Sequence, residues 1–177
     1  YMPTIPGSII AMLSCARLGL IHSVVFAGFS SESLKNRIND CKAELIITVD
    51  SFKRNGKTIM SKETVDNALK QDCPSIKKII VFKNSDKEVS FDPNIDLWWH
   101  DILPNSDQVV LPEVMSSEDI LFILYTSGST GKPKGIIHTS AGYLLNCILT
   151  NKWVFDLKKG DIFWCTADIG WITGHSY

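Results

Sequence analysis

Between residues 22 and 82, short β-branched runs alternate with amphipathic helical ones, and that order leaves few folds open. Residues 22–26 (His-Ser-Val-Val-Phe), 45–49 (Leu-Ile-Ile-Thr-Val) and 78–82 (Lys-Ile-Ile-Val-Phe) have the composition of strands. Ser30, Ser31 and Glu32 read as the start of a helix over residues 34–41, and residues 61–70 as a second amphipathic helix. A helix between successive strands implies crossover connections, which join parallel strands rather than hairpins. The fold class expected is therefore α/β, with a parallel, helix-covered sheet. Upstream, Pro6 and Ser8 precede Ile9, Ile10, Met12, Leu13 and Ala16, a pattern suited to a buried helix that ends near Gly19.

Beyond residue 82 the texture changes. Residues 83–119 are rich in Asp, Asn, Ser and Pro and read as an irregular connection with one short helical turn. The aromatic patch at residues 97–100 (Leu-Trp-Trp-His) reads as packing at a core edge. Residues 120–125 (Ile-Leu-Phe-Ile-Leu-Tyr) are almost wholly apolar and predict a central strand. A helix over residues 140–151 and a strand over residues 162–165 follow. No internal repeat is present.

The bulk properties exclude several function classes. With 177 residues, the chain has enough material for one buried domain or part of a larger one. A net charge of −1 gives no clustered cations for a nucleic acid or a membrane surface. No apolar run reaches the roughly 20 residues of a membrane helix, and the best, residues 9–20, is broken by Arg17. The five cysteines (Cys15, Cys41, Cys73, Cys147, Cys165) are scattered, which suits reduced thiols rather than a zinc or redox motif. No metal ligands stand out. The expected setting is cytoplasmic, with nuclear or organellar placement left open. The chain opens at Tyr1 and stops at Tyr177 directly after a dense motif, so a piece of a longer protein, inactive alone, is expected.

Residues 125–135 read Tyr-Thr-Ser-Gly-Ser-Thr-Gly-Lys-Pro-Lys-Gly. Gly128, Gly131 and Gly135 let the backbone approach an anion closely. Ser127, Ser129 and Thr130 add neutral donors, and Lys132 and Lys134 add charge. Successive N–H groups in such a turn form an anion-binding concavity. A Gly/Ser linker shares the composition, but not the position after an apolar strand with two lysines on the far side. A Walker loop needs a glycine where Thr126 stands and a Ser or Thr where Pro133 stands. Pro133 also disfavours helix geometry at Lys132. This is a phosphate loop of another kind.

The run resembles the signature loop of the adenylate-forming enzymes, which include acyl-CoA synthetases, peptide-synthetase adenylation domains and luciferases. Residues 17–30 (Arg-Leu-Gly-Leu-Ile-His-Ser-Val-Val-Phe-Ala-Gly-Phe-Ser) and the close of the chain (Ala-Asp-Ile-Gly-Trp-Ile-Thr-Gly-His-Ser-Tyr) are similar to the acetyl-CoA synthetase group. Residues 122–135 and 97–99 match it too, so the resemblance covers essentially the whole chain. It implies part of the large N-terminal, AMP-binding domain, without the mobile C-terminal domain. Residues of about 1–100 would form a CoA- and substrate-side α/β portion. Residues of about 118–177 would carry the phosphate loop and acyl pocket.

The resemblance also implies chemistry. Such enzymes activate a carboxylate with ATP to an acyl-adenylate and pyrophosphate, then pass the acyl group to the thiol of coenzyme A. Thr126, Ser127, Gly128, Ser129, Thr130, Gly131 and Lys132 would hold the β- and γ-phosphates, with Thr130 and Lys132 as the catalytic pair. Arg54, Asn55, Gly56 and Lys57 would hold the nucleotide end of coenzyme A. The group expects arginine where Lys57 stands, and lysine keeps the charge but not the planar fork. A solvated basic turn is the plain alternative there. Trp171, Ile172 and Thr173 would wall the acyl pocket, with Thr173 near the approaching thiol and also placed with the CoA contacts. The group carries valine where Ile172 stands, and the extra methylene favours acetate over propionate by only about 1 kcal/mol. Asp168 and His175 could orient that pocket, whereas His22, His100 and His138 read as structural. Thr4 and Gly7 also depart from the group.

The implied reaction is acetate:CoA ligation (AMP-forming), with ATP, coenzyme A and magnesium as cofactors and the magnesium ligands outside this chain. A propionate or other short-chain acyl-CoA synthetase, and a non-catalytic nucleotide- or CoA-binding module, stay open. The expected partners are small molecules, with neither nucleic acid nor membrane among them.

Overall fold

A computed structural model of the protein describes residues 1–105, 109–126 and 133–177. The helix α1 (Pro6–Arg17) begins with proline at its first turn, where the missing N–H costs nothing. It ends just before Gly19, whose φ of +65° is the left-handed geometry expected of a helix stop. Then come α2 (Ser31–Cys41) and β1 (Leu45–Val49). A small hairpin follows, β2 (Phe52–Arg54) with β3 (Lys57–Ile59). The helix α3 (Ser61–Leu69) crosses over to β4 (Lys78–Phe82), and β5 (Asp96–Trp98) leads into a helical turn, α4 (Trp99–Ile102).

The alternation did specify a parallel sheet. The strands β1, β4 and β5 lie side by side in the order β1-β4-β5, parallel throughout. Ser30 caps α2 by accepting the Ser33 N–H at 3.3 Å. The helices α2 and α3 supply Leu34, Ile38, Val65 and Ala68, which meet Ile46, Ile79 and Val81 of the sheet in one buried cluster. Trp98 stacks on Phe91 at 5.0 Å and Trp99 meets Phe82 edge-on, so the aromatic patch is indeed packing.

Several expectations fail. Residues 83–119 contain β5 as well as a helical turn, because residues 96–98 add a third parallel strand to the exposed edge of β4. Residues 22–26 do not form a strand: among the described residues only His22 makes a lone parallel bridge, to Phe122. The chain then leaves the ladder and turns, with the Phe29 N–H on the Phe26 carbonyl. Residues 162–165 are irregular, exposed except for the half-buried Cys165, with no ladder partner among the described residues. The outward apolar side of α1, Ile9, Ile10 and Leu13, is exposed, since the helix packs through Gly7, Ser8 and Ala11. A Cβ on Gly7 would come within 3.0 Å of the Phe82 ring, so the small residues mark the packed face.

The strand at residue 120 is real but not parallel to its main neighbour. The strand β6 (Ile120–Thr126) pairs antiparallel with β7 (Lys134–Thr139), and α5 (Ser140–Leu149) follows, continued by a π-helical turn at Thr150–Val154. A last short helix, α6 (Ile172–Ser176), closes the chain. No described helix is long and apolar enough to cross a membrane.

Two buried polar centres fix the α/β unit. Asp50, at the carboxyl end of β1, accepts the backbone N–H of Ser51, Asn84 and Ser85 and the Ser85 hydroxyl, tying the exits of β1 and β4 together. Lys62 of α3 reaches Asp96 of β5 at 2.9 Å and Asp66 at 2.6 Å, and Lys62 and Asp96 are both almost wholly buried. Removing one member of a buried pair strands the other charge. Lys62→Ala should therefore destabilise the fold by about 3–5 kcal/mol in urea denaturation. A loss under about 1 kcal/mol would mean that the pair contributes no more than an exposed one.

Candidate active site

The hairpin β6–β7 places the ends of the phosphate loop. Thr126 pairs with Lys134 and Tyr125 with Gly135, so these four residues are strand rather than loop. A Cβ on Gly135 would sit 3.0 Å from Ile123 and 3.2 Å from Tyr125, which explains glycine at that position. Of the sequence-predicted phosphate contacts, only Thr126 is described, at the exposed end of β6. Ser127, Gly128, Ser129, Thr130, Gly131 and Lys132 lie outside the described residues. The strand end itself is anchored: the Tyr125 hydroxyl donates to Asp40 Oδ2 at 2.6 Å, and the Arg37 guanidinium lies 5.5 Å from its ring centroid. Burial, and then the bond to Asp40, pushes the Tyr125 hydroxyl well above its ordinary range, so it stays a donor.

Arg54, Asn55, Gly56 and Lys57 occupy the tip of the β2–β3 hairpin. Asn55 and Gly56 have φ of +48° and +75°, the geometry of a two-residue primed turn that Asn-Gly favours. Arg54 and Lys57 are direct cross-strand partners. Two like charges placed opposite each other repel, and among the described residues neither forms an ion pair. The hairpin exits the carboxyl end of β1, the edge where parallel sheets bind ligands. The Asn-Gly pair was the signal by which the sequence could have revealed this hairpin.

Trp171 stands at the N-cap of α6, Ile172 and Thr173 open the helix, and all three are exposed. Asp168 shapes the turn before them, accepting the Gly170 N–H on Oδ1 at 2.8 Å and the Trp171 N–H on its carbonyl at 3.0 Å. A Cβ on Gly170 would lie 2.9 Å from Phe26 Cα, so glycine is what lets this turn press against residue 26. Phe26 is a residue the sequence reading did not single out. Its ring lies 4.5 Å from the Arg54 guanidinium and 6.0 Å from the Trp171 ring, and Phe29 meets both Phe26 and Trp171 edge-on. The cation–π contact thus joins the hairpin expected to hold CoA to the helix expected to wall the acyl pocket. A Cβ on Gly28 would meet Arg54 Nη1 at 2.5 Å, so the contact also needs glycine beside Phe26.

Behind α6, three histidines gather round the buried ring of Phe122. His138 stacks on it at 4.4 Å and His22 at 5.5 Å, and His175 lies tilted against it at 4.1 Å. His22 Nε2 and His175 Nε2 are 3.0 Å apart, and Tyr143 lies 2.9 Å from His175 Nδ1. Burial lowers His22 to about 4, and burial with the neighbouring His22 and His138 lowers His175 to about 4. Both are neutral at pH 7 and make poor general bases there. His22 and His138 pack against Phe122, while His100 lies apart on the surface near Asp101.

A pH dependence follows. Unfolded imidazoles take up protons near 6.5, but these folded ones do so only near 4. Between those values the unfolded chain binds more protons, so stability is full above about pH 6.5 and declines as pH falls towards 4. For His22 alone the loss is on the order of 3 kcal/mol. The urea midpoint should drop across that window, and His22→Phe should flatten the drop. An unchanged slope in that variant would contradict the account.

The site can be set beside known proteins. The chain is 53% identical over 178 residues to an acetyl-coenzyme A synthetase of Pseudoalteromonas atlantica, covering 100% of this chain and 27% of that protein. The corresponding protein of Rubrobacter xylanophilus is 54% identical over 177 residues, with 100% and 27% covered. That of Penicillium chrysogenum is 51% identical over 177 residues, with 100% and 26% covered. Among solved structures, an acetoacetyl-CoA synthetase from Streptomyces lividans superposes with a TM-score of 0.85 at 27% identity, over 97% of this chain and 26% of that one. The chain thus spans about a quarter of the length of the relatives it matches. The family described as AMP-binding enzyme matches residues 1–177 throughout, and the chain belongs to that family.

Proposed function

We propose that the protein is an acetate:CoA ligase of the AMP-forming type, making acetyl-adenylate and pyrophosphate from acetate and ATP and then acetyl-CoA. The observation that carries this reading is the junction at Phe26, where the Arg54 hairpin and the Trp171 helix meet. Acyl transfer to a thiol needs the acceptor's anchor and the acyl pocket on one rigid frame. The pairing of Arg54 with Lys57 suits the phosphates of a nucleotide, which would relieve the repulsion between them. The identities near 50% to acetyl-coenzyme A synthetases support acetate as the acid.

In this reading Thr126, Ser127, Gly128, Ser129, Thr130, Gly131 and Lys132 hold the β- and γ-phosphates. Lys132 and Thr130 stabilise charge as the carboxylate attacks the α-phosphorus. Trp171, Ile172 and Thr173 bound the space for the methyl group. Magnesium would accompany ATP, but among the described residues no three His, Cys, Asp or Glu converge as a metal site. No step here depends on its ligands. Propionate remains the nearest competitor, since one methylene in an apolar pocket discriminates by only about 1–3 kcal/mol.

The test is acetate-dependent exchange of pyrophosphate into ATP by the full-length protein. Exchange without carboxylate dependence would eliminate the ligase. Lys132→Ala should cost about 1–3 kcal/mol, or roughly fivefold to 150-fold in exchange rate. Arg54→Ala should instead leave exchange intact and raise KM for CoA in the complete reaction by roughly tenfold or more, as expected for a lost charge-assisted contact. If Arg54→Ala leaves KM for CoA where it was, the hairpin is only a solvated basic turn.

A further inference from the structure

The helix α6 carries the acyl-pocket residues yet has little to hold it. It has five residues, none of them buried, far short of the length at which a helix supports itself. Its first turn is fixed through Asp168 and Gly170 to the segment around Phe26. Those contacts do not reach β6 and β7, which flank the phosphate loop in the sequence, or α5. Adenylation needs the carboxylate and the α-phosphorus brought within reacting distance, so the pocket and the loop must be in register.

Among the described residues, the hydrogen bonds from α6 to α5 all end on the Tyr143 hydroxyl, which meets His175 Nδ1 at 2.9 Å, the His175 carbonyl at 3.2 Å and Ser176 Oγ at 3.0 Å. The His175 ring lies on Phe122 of β6 at 4.1 Å, and its other nitrogen faces His22 Nε2 at 3.0 Å. His22 in turn bridges β6, accepting the Ile123 N–H on its carbonyl at 2.9 Å. One side chain therefore touches α5, β6 and the segment that runs on to Phe26.

The proton order in this chain follows from satisfying donors. Among the described residues, His22 Nδ1 is buried without a partner, and an orphaned N–H there would cost more than an orphaned lone pair. His22 then carries its proton on Nε2 and donates it to His175 Nε2. His175 Nδ1–H donates to Tyr143, and the Tyr143 hydroxyl shares its one proton between Ser176 Oγ and the His175 carbonyl. Each imidazole N–H then meets an acceptor and the chain runs in one direction, which fixes the His175 ring at both nitrogens.

We propose that His175 is a positioning residue that holds α6, and with it Trp171, Ile172 and Thr173, in register with the β6–β7 hairpin bearing the phosphate loop. The proposal rests on the ligase reading for its catalytic consequence, though not for its geometry. It predicts a defect in geometry rather than in nucleotide affinity. In the full-length protein, His175→Ala should lower kcat for acetate-dependent exchange about a hundredfold, the effect of roughly 1 Å of misplacement. KM for ATP should stay within about twofold. His175→Asn keeps a donor at the Nδ1 position towards Tyr143 and should recover about tenfold of that loss. Tyr143→Phe, which keeps the ring against Phe122, should show the same split between kcat and KM.

A readout independent of activity accompanies these. With 5-fluorotryptophan incorporated, the Trp171 resonance, assigned by its loss in Trp171→Phe, should shift in His175→Ala and return towards its original position in His175→Asn. An unchanged kcat in His175→Ala overturns the proposal, as does an unmoved Trp171 resonance. A loss shared equally by kcat and KM for ATP, without rescue in His175→Asn, also overturns it, in favour of a general folding defect. Should the wild-type protein show no carboxylate-dependent exchange, the ligase reading fails, and the fluorine resonance alone decides the positioning claim.

Discussion

The buried ring of Phe122 is the contact on which the site half of the structure depends. The side chain sits on β6, and His138 of β7, Tyr143 of α5, His175 of α6 and His22 of the N-terminal segment all pack against it. Aromatic rings bring large apolar area with little entropy to lose, and edge or offset contacts add directional preference. Polar rings packed this way lose water, so they must satisfy one another or stay unpaired. The neutral His22 and His175, with Tyr143 pushed up to about 12 by burial, form the half-buried hydrogen-bonded shell that results. Short elements that could not stand alone are held by sharing this one ring.

The other half is governed by the parallel sheet. Crossover connections send β1, β4 and β5 out at the same edge, and the buried Asp50 carboxylate clasps the first two exits. The β2–β3 hairpin leaves from there, so Arg54 is delivered to a fixed place by the topology. Its contact with Phe26 then connects the two halves, because residues 22–26 start beside Phe122 and finish beside Trp171. A single irregular segment thus links the sheet edge, the acyl-pocket helix and the strand entering the phosphate loop.

Much of the α/β unit was legible from periodicity. The strands at Leu45–Val49 and Lys78–Phe82 and the helix Ser61–Leu69 have burial patterns that match their alternation. The failures have physical causes. Residues 22–26 have strand composition, but β7 takes one edge of β6 and the glycine-bearing turn at Gly28 pulls the chain away from the other after one bridge. Residues 162–165 also read as a strand but, among the described residues, have no ladder to join. The strand β5 was hidden because Asp96, polar by sequence, is buried against Lys62 across the fold. The strand β7 lay behind Pro133 and Gly135, which read as loop until Thr126 and Lys134 proved to be paired.

By itself the sequence determined the local chemistry and the fold class: glycines, hydroxyls and lysines in a loop that fails the Walker spacing, and strand–helix alternation that demands a parallel sheet. These are legible because they depend on residues close together in the chain. Only the tertiary structure decided which distant residues would meet. Arg54 and Trp171 are joined through Phe26, and His22, Tyr143 and His175 through Phe122, across separations that no periodicity encodes. The reason is that a lone Phe or His carries no mark of its partner. Its role is set by which faces are buried together once the sheet and the hairpin have formed.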